Sequence, residues 1–237
     1  MSSKKTTLIH GIAIAAAAGL VSSASAGVVL VDDFSTGEID ISTRSAEGTL
    51  NDALANVLGG ERELSWDIVQ NPFNSRLNIF AAFEGTPGLG IDMGAGNASV
   101  VNLRYDGVGT EGGAAGLGFD AIAEGTQSVR MTFLTIDLET DVTVTLTDGS
   151  GLEASLTRFL APGLASIEFF ALNDFDIDAG FDFSDIFALD VDINLISQEP
   201  NRDLFLSDIQ FDMEVPSPGS MALIGIGGLA LAGRRRR

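Results

Sequence analysis

The sequence predicts an all-β protein whose body is an antiparallel β-sandwich built from many short strands. The first observation behind this prediction is a period of two in the apolar residues: within residues 140–147, Val142, Val144 and Leu146 alternate with threonines. The second is glycine-rich sequence between such segments, as in residues 107–118. Short alternating segments separated by turns are typical of antiparallel sandwiches with one solvated face on each sheet.

Ten segments share this strand pattern. They are residues 28–34, 63–69, 77–83, 99–105, 130–138, 140–147, 152–156, 167–172, 189–195 and 204–211. The Asp-Gly-Ser-Gly sequence of residues 148–151 predicts a tight turn between two of them. Residues 49–58 fit two interpretations, either a helix that ends at Gly59 or a strand that leads into Gly59 and Gly60.

Residues 1–26 predict a signal peptide. Two lysines precede an apolar run over residues 8–21, and a small-residue cleavage site follows at once. Cleavage is expected at the site formed by Ala24, Ala26 and Gly27, between Ala26 and Gly27. The alternative is a retained N-terminal anchor, for which the apolar run is short.

The C-terminal segment, residues 214–237, combines a proline-containing hinge, a glycine-rich apolar run over residues 221–233 and a terminal basic cluster. The hinge and cluster consist of Pro216, Ser217, Pro218, Arg234, Arg235, Arg236 and Arg237. This arrangement resembles the PEP-CTERM sorting signal that exosortases read, with Ser217 where the family's name has glutamate. The alternative is a tail without function.

The resemblance implies a short transmembrane helix that is held only briefly. Residues 215–233 carry no charge, and as a helix they would extend about 28 Å, close to the thickness of a bilayer core. The terminal arginines would stay on the cytoplasmic side. The expected partners are signal peptidase and an exosortase-type sorting enzyme. Transient anchoring in the inner membrane would precede a final location in the cell envelope, at the cell surface or outside the cell.

The body between these ends, residues 27–213, is strongly acidic and chemically restricted. Residues 27–214 contain seven arginines, no lysine and all 33 acidic residues, a formal charge of −26. That charge repels phosphate backbones, so nucleic acid is excluded as a partner, whereas cations remain attractive. The chain has no cysteine, and its single histidine, His10, lies in the signal peptide. Serine and cysteine triads, histidine or cysteine zinc sites and lysine Schiff bases are therefore excluded from the body.

The body also resembles the one shared by many PEP-CTERM proteins of unknown function. The motifs that carry the resemblance are short and cover residues 31–34, 59–62, 103–107, 147–151 and 203–209. The resemblance implies a jelly-roll-like sandwich, related in shape to carbohydrate-binding modules. It brings no known active site, and no catalytic residue is predicted.

A calcium loop is one interpretation of the densest acidic stretch, because calcium prefers several carboxylate oxygens on a tight turn. Its candidate ligands are Asp174, Asp176, Asp178, Asp182 and Asp185. Gly180 comes one place later than the EF-hand pattern requires, however, and the last position is aspartate rather than glutamate. The alternative is a solvated strand–loop–strand in which phenylalanines and acids alternate. Calcium is the one cofactor that this stretch suggests.

Trp66 and Tyr105 are candidates for a ligand-binding face, but their strand positions favour the core for both. Arg62, in a Gly-Gly-Glu-Arg corner, is expected to be an ion-paired structural arginine. The leading hypothesis is a non-enzymatic, exported surface or matrix protein that interacts with polysaccharide, cations or both. The alternatives are a carbohydrate-binding module with exposed aromatic residues and, less favoured, a glycan hydrolase that uses two carboxylates.

Overall fold

A computed structural model describes residues 27–82, 87–109, 115–137, 139–195 and 202–213. The signal peptide and the sorting helix predicted above lie outside these residues. Within them the chain forms β-strands, turns and short 3-10 helices, and no α-helix. No helix of the described part is long and apolar enough to cross a membrane.

The described residues form 14 strands. In chain order they are β1 (Val28–Asp32), β2 (Ile39–Thr43), β3 (Glu47–Ala53), β4 (Glu61–Gln70), β5 (Leu77–Ala81), β6 (Leu89–Met93), β7 (Ala98–Tyr105), β8 (Ser128–Ile136), β9 (Thr140–Asp148), β10 (Glu153–Leu160), β11 (Gly163–Ala171), β12 (Asp176–Ile177), β13 (Ile186–Leu195) and β14 (Arg202–Asp212).

The strands make two seven-stranded sheets in which every pairing is antiparallel. Sheet A has the order β11-β8-β14-β6-β5-β2, and β1 pairs with the C-terminal part of β14 beside β6. Sheet B has the order β12-β10-β9-β13-β7-β4-β3. The predicted all-β antiparallel sandwich is therefore confirmed.

The core lies between the two sheets and follows the predicted alternation. Val142, Val144 and Leu146 on β9 are fully buried, while the threonines between them are half-buried on the other face. Leu189 and Val191 on β13 are also fully buried. A half-buried sheet selects for this pattern because successive side chains point to opposite faces.

The helix interpretation of residues 49–58 is wrong, and the strand interpretation holds for residues 49–53, the first half of the segment. β3 pairs in register with β4, with Leu50 opposite Leu64, and its exposure alternates residue by residue. A helical pattern of leucines on an edge strand was overridden by this pairing. The chain then loops over the buried Val57, closed by a hydrogen bond from the Leu54 N–H to the Gly60 carbonyl (2.8 Å).

The two ends of the body meet on sheet A. Val28 pairs with Asp212, and the Met213 N–H donates a hydrogen bond to the Gly27 carbonyl (3.2 Å). The predicted signal-cleavage position and the last residue before the C-terminal segment are therefore neighbours.

Candidate functional site

The outer side of sheet B carries a largely polar surface, which we call the polar face; Phe159 on β10 is an exposed apolar side chain at its edge. Its middle row runs across six strands because the strand registers place one polar residue opposite the next. The row consists of Thr49, Ser65, Asn102, Asp192, Thr143 and Thr157. All six are half-buried or exposed, whereas residues adjacent to them in sequence, such as Leu103 and Val191, are fully buried on the inner side.

Hydrogen bonds between neighbouring side chains order this row. The Asn102 Nδ2 donates to the Asp192 Oδ1 (3.0 Å), and the Thr143 and Thr157 hydroxyls lie 2.8 Å apart. β-branched threonines have few side-chain rotamers in a strand, so their hydroxyls project at fixed positions. The middle row therefore presents a preorganised series of hydroxyl, amide and carboxylate groups.

A second row, next to the first, centres on an ion-paired arginine. Arg104 donates from Nη1 to both carboxylate oxygens of Asp190 (3.1 and 2.9 Å) and from Nε to the Asp106 Oδ2 (2.9 Å). Burial opposes the charge of Arg104, but its hydrogen bond to Asp106 and its attraction to Asp190 raise its pKa overall. Burial also raises the pKa of Asp190, and Arg104 opposes that effect only in part.

A groove of about 500 Å³ lies at the β3–β4–β7 end of the polar face. It is lined by Glu47, Gly48, Thr49, Ser65, Trp66, Asp67, Val100 and Asn102. Glu63 lies on β4 opposite Arg104, in the second row. Burial and then the charge of Asp106 raise the pKa of Glu63. Hydrogen-bonding groups and negative charge therefore dominate this end of the face.

Trp66 does not project from the polar face. It follows the alternation of Leu64 and Ile68, is half-buried, and packs against the core. Its ring lies over Gly48, where an added Cβ would be 2.0 Å from the ring. Trp66 therefore contributes to the wall below the groove rather than an exposed platform.

Tyr105 is fully buried, so its candidacy for a ligand face is wrong and the core interpretation holds. Its hydroxyl donates a hydrogen bond to the Asp32 Oδ2 (3.1 Å). The same oxygen also accepts a hydrogen bond from the Arg62 Nη1 (2.9 Å). Burial and then the charge of Asp32 raise the pKa of Tyr105 well above its usual value. Burial likewise raises the pKa of Asp32, although Arg62 and the N–H of Phe34 oppose it. Arg62 is the ion-paired structural arginine that the sequence predicted, 1% exposed.

The acidic stretch does not gather its carboxylates around one point. The five candidate calcium ligands have separate surroundings. Asp174 pairs with Arg158 (3.4 Å), and Asp176 lies in β12. The Asp178 Oδ2 accepts from the Glu153 N–H, and the Asp182 Oδ1 accepts from the Ser184 N–H and hydroxyl. Asp185 lies beside Gly149. No group of three or more acidic or histidine side chains in the described ranges is arranged to hold a metal ion. A shared calcium loop is therefore not formed in this structure, and calcium binding stays a prediction.

Comparison with known proteins identifies one end of the chain. Residues 214–237 match the PEP-CTERM protein-sorting motif. The chain carries a PEP-CTERM sorting signal. This confirms the resemblance drawn from the proline hinge, the apolar run and the arginine cluster, despite Ser217 in the hinge. A protein with this signal is exported and associated with the cell envelope.

The body has distant structural likenesses, and no curated protein matches the chain. It is similar to the family 11 carbohydrate-binding module of the cellulosomal cellulase Lic26A-Cel5E of Clostridium thermocellum, with 9% identity, 78% of this chain and 94% of that one covered, and a TM-score of 0.39. A family 30 carbohydrate-binding module has 13% identity, coverage of 77% and 96%, and a TM-score of 0.39. An exo-beta-agarase has 12% identity and a TM-score of 0.44, with 80% of this chain and 25% of that chain covered. These likenesses are too distant to bear on function.

The polar face was not predicted from the sequence, because its residues form neither a carboxylate cluster nor an aromatic motif along the chain. A signal was present, since Thr143, Thr145 and Thr147 alternate with apolar residues, as do Asp190 and Asp192. Each of these alternating series, taken alone, is typical of the solvent-exposed side of a strand. Only the pairing of β9, β13 and β7 shows that these wet sides form one surface.

Proposed function

We propose that this exported protein binds extracellular polysaccharide across the polar face of sheet B and catalyses no reaction. The observation that carries the proposal is the middle row, in which hydroxyl, amide and carboxylate side chains line up across six adjacent strands. At about 4.8 Å between strands, the row is about 24 Å long, enough to contact several consecutive sugar rings. Sugar hydroxyls both donate and accept hydrogen bonds, so a mixed row of this kind fits them.

The environment of the carboxylates supports binding rather than catalysis. On the polar face, Asp190 accepts from Arg104 and Asp192 accepts from Asn102, so each carboxylate already has a fixed donor. Glu63 likewise accepts from the Asn51 amide (3.2 Å). A glycan hydrolase needs an acid and a base on either side of one bond, with room for water or a nucleophilic attack. Asp190 and Asp192, held in place by these donors, can accept further hydrogen bonds from sugar hydroxyl groups.

The strand order further supports a jelly roll. Four strands of sheet A pair in the order β6-β14-β8-β11, and four of sheet B pair in the order β7-β13-β9-β10. The chain alternates between these two sets in the sequence of two interlocked Greek keys, which is the jelly-roll arrangement. The remaining strands extend both sheets at their edges and widen the polar face by β3 and β4.

Export and release complete the proposal. An exosortase-type enzyme would remove the C-terminal segment after the body has crossed the membrane. Gly27 and Met213 are neighbours, so both cut ends would face the membrane side by side. The polar face then remains available to the polymer layer outside the cell.

Substitutions on the two outer faces test the proposal. The full chain is expressed with its own N-terminal segment, and the exported form is screened against neutral and acidic polysaccharides. Thr143→Val removes a hydroxyl from the middle row, and Thr132→Val makes the same change on the outer side of sheet A. For a bound polysaccharide we expect Thr143→Val to weaken affinity about fivefold to tenfold, equivalent to about one lost hydrogen bond. Thr132→Val should leave the affinity unchanged. Binding to no polysaccharide, or equal affinity for both variants, would contradict the proposal.

A further inference from the structure

A second groove lies on the opposite side of the sandwich, on the outer side of sheet A. Its volume is about 310 Å³, and its lining includes Phe80, Phe205, Asp92, Asp203 and Thr135. We call it the sheet A groove. It shares no residue with the polar face, so the two surfaces can bind independently.

Two phenylalanine rings lie over glycine positions in the sheet A groove. The registers place Phe205 opposite Gly90 and Gly90 opposite Phe80, so the two phenylalanines flank one glycine across three strands. A Cβ on Gly90 would lie 2.1 Å from the Phe80 ring, and one on Gly88 would lie 2.2 Å from the Phe205 ring. The rings therefore lie down over the sheet backbone, and both remain partly exposed. Only glycine allows this arrangement.

A pair of carboxyl groups occupies the next register position. Asp203 is opposite Asp92, and both carboxyl groups line the groove. Asp92 also accepts from the Asn78 Nδ2 (2.8 Å). Burial raises the pKa of Asp203, and the neighbouring Asp92 and then the charge of Asp137 raise it further. No described basic side chain forms an ion pair with either Asp92 or Asp203.

This combination favours an organic cation over a metal ion. Calcium takes six to eight oxygen ligands. The groove offers two neighbouring carboxyl groups and a threonine hydroxyl beside two phenyl rings, and the described residues contain no metal-holding cluster. A protonated amine suits such a place, since its N–H groups can bridge both carboxylates while the faces of aromatic rings attract its charge. An apolar sugar-ring face can also pack on phenylalanine.

We propose that the sheet A groove binds a glycan with free amino groups, through Asp92 and Asp203 on the ammonium and Phe205 on the sugar ring. The ligand class is a polymer of amino sugars that are not acetylated. The body has no lysine and a large negative charge, which is complementary to such a polymer. This site does not depend on the polar face, so either proposal can fail while the other stands.

The test uses three oligosaccharides with one backbone and different substituents at C2. These are the β-1,4-linked hexamers of glucosamine, N-acetylglucosamine and glucose, measured by calorimetry against the exported protein. We expect the glucosamine hexamer to bind at least about tenfold more tightly than the other two, a difference of about 1.4 kcal/mol. Equal affinity for all three hexamers would overturn the proposal.

Variants separate a specific site from general attraction to an acidic protein. Phe205→Leu changes no charge and keeps an apolar side chain, yet it should weaken glucosamine-hexamer binding about fivefold. Asp203→Asn, at an exposed position, should weaken it about tenfold or more. Glu124→Gln removes the same charge from an exposed turn and should have no effect. If Glu124→Gln weakens binding as much as Asp203→Asn does, the attraction is non-specific and the site is refuted. Thr143→Val on the polar face should leave glucosamine-hexamer binding intact.

Discussion

Replacing Asp32 by asparagine should severely destabilise the protein, because it removes the charge partner of a buried arginine. Asp32 and Arg62 are each 1% exposed and lie 2.9 Å apart. Asp32 also accepts hydrogen bonds from the Phe34 N–H (2.7 Å) and the Tyr105 hydroxyl (3.1 Å). In the variant, Arg62 would keep only carbonyl acceptors, such as those of Thr36 (3.3 Å) and Gly37 (2.8 Å).

The expected loss follows from that geometry. Removing one partner of a buried ion pair costs about 3–5 kcal/mol, a large fraction of the stability of a single domain. For a domain of this size the melting temperature should fall by about 6–20 °C. Tyr105→Phe removes one hydrogen bond from the same cluster and should cost about 1 kcal/mol.

Urea unfolding of the exported protein, followed by the fluorescence of its single tryptophan, measures these losses. Asp174→Asn is the matched control, since Asp174 pairs with Arg158 while its side chain is 59% exposed. That exposed pair should contribute less than about 1 kcal/mol. If Asp32→Asn were no more destabilising than Asp174→Asn, the argument that the buried ion pair holds β1, β4 and β7 together would be refuted.

Three further predictions concern packing, acidity and metal. In Gly48→Ala the new Cβ would lie 2.0 Å from the Trp66 ring. The ring should therefore be displaced, which should destabilise the protein by about 1–3 kcal/mol and shift the tryptophan emission. Gly163→Ala is the control and should change neither, because no atom lies within 4 Å of its Cβ. Folding raises the pKa of Asp190, so the folded chain keeps this proton to a higher pH than the unfolded chain does. The melting temperature measured by calorimetry should therefore fall as the pH rises from about 4 through the folded-state pKa of Asp190, and a melting temperature that rises over that range would contradict the assignment. If the acidic stretch around Asp178 binds calcium, EDTA should lower the melting temperature by several degrees and added calcium should restore it. An unchanged melting temperature would contradict the calcium-loop prediction.

The strands with strict alternation could be predicted from the sequence. β9 and β13 each alternate apolar and polar residues over most of their length, so the inward faces of both strands and the extent of β9 could be predicted. β13 begins at Ile186, three residues before the predicted segment 189–195. β2 and β6 were not predicted: β2 alternates apolar and polar residues but is only five residues long, and Gly90 interrupts the equally short β6. The strand predicted over residues 28–34 is longer than β1, because Phe34 adopts a positive φ of 52° that the local sequence does not indicate.

Both proposed binding surfaces depend on strand order rather than on local sequence. Asn102 and Asp192 are 90 residues apart in the chain and are brought into hydrogen-bonding distance only by the pairing of β7 with β13. Phe80 and Phe205 come together in the same way, through β6. Long-range pairing of this kind cannot be read from composition or spacing, because many registers satisfy the same alternation.

The measurement that most directly tests polysaccharide binding by the polar face is NMR mapping of the exported protein. Extracellular polysaccharide prepared from the producing cells is titrated into the isotope-labelled protein, and the backbone amide shifts are followed. We predict that the largest changes fall on β4, β7, β13 and β9, centred on Asn102 and Asp192, with saturation as the polymer is added. No shift with any polysaccharide fraction, or shifts confined to sheet A, would contradict the account.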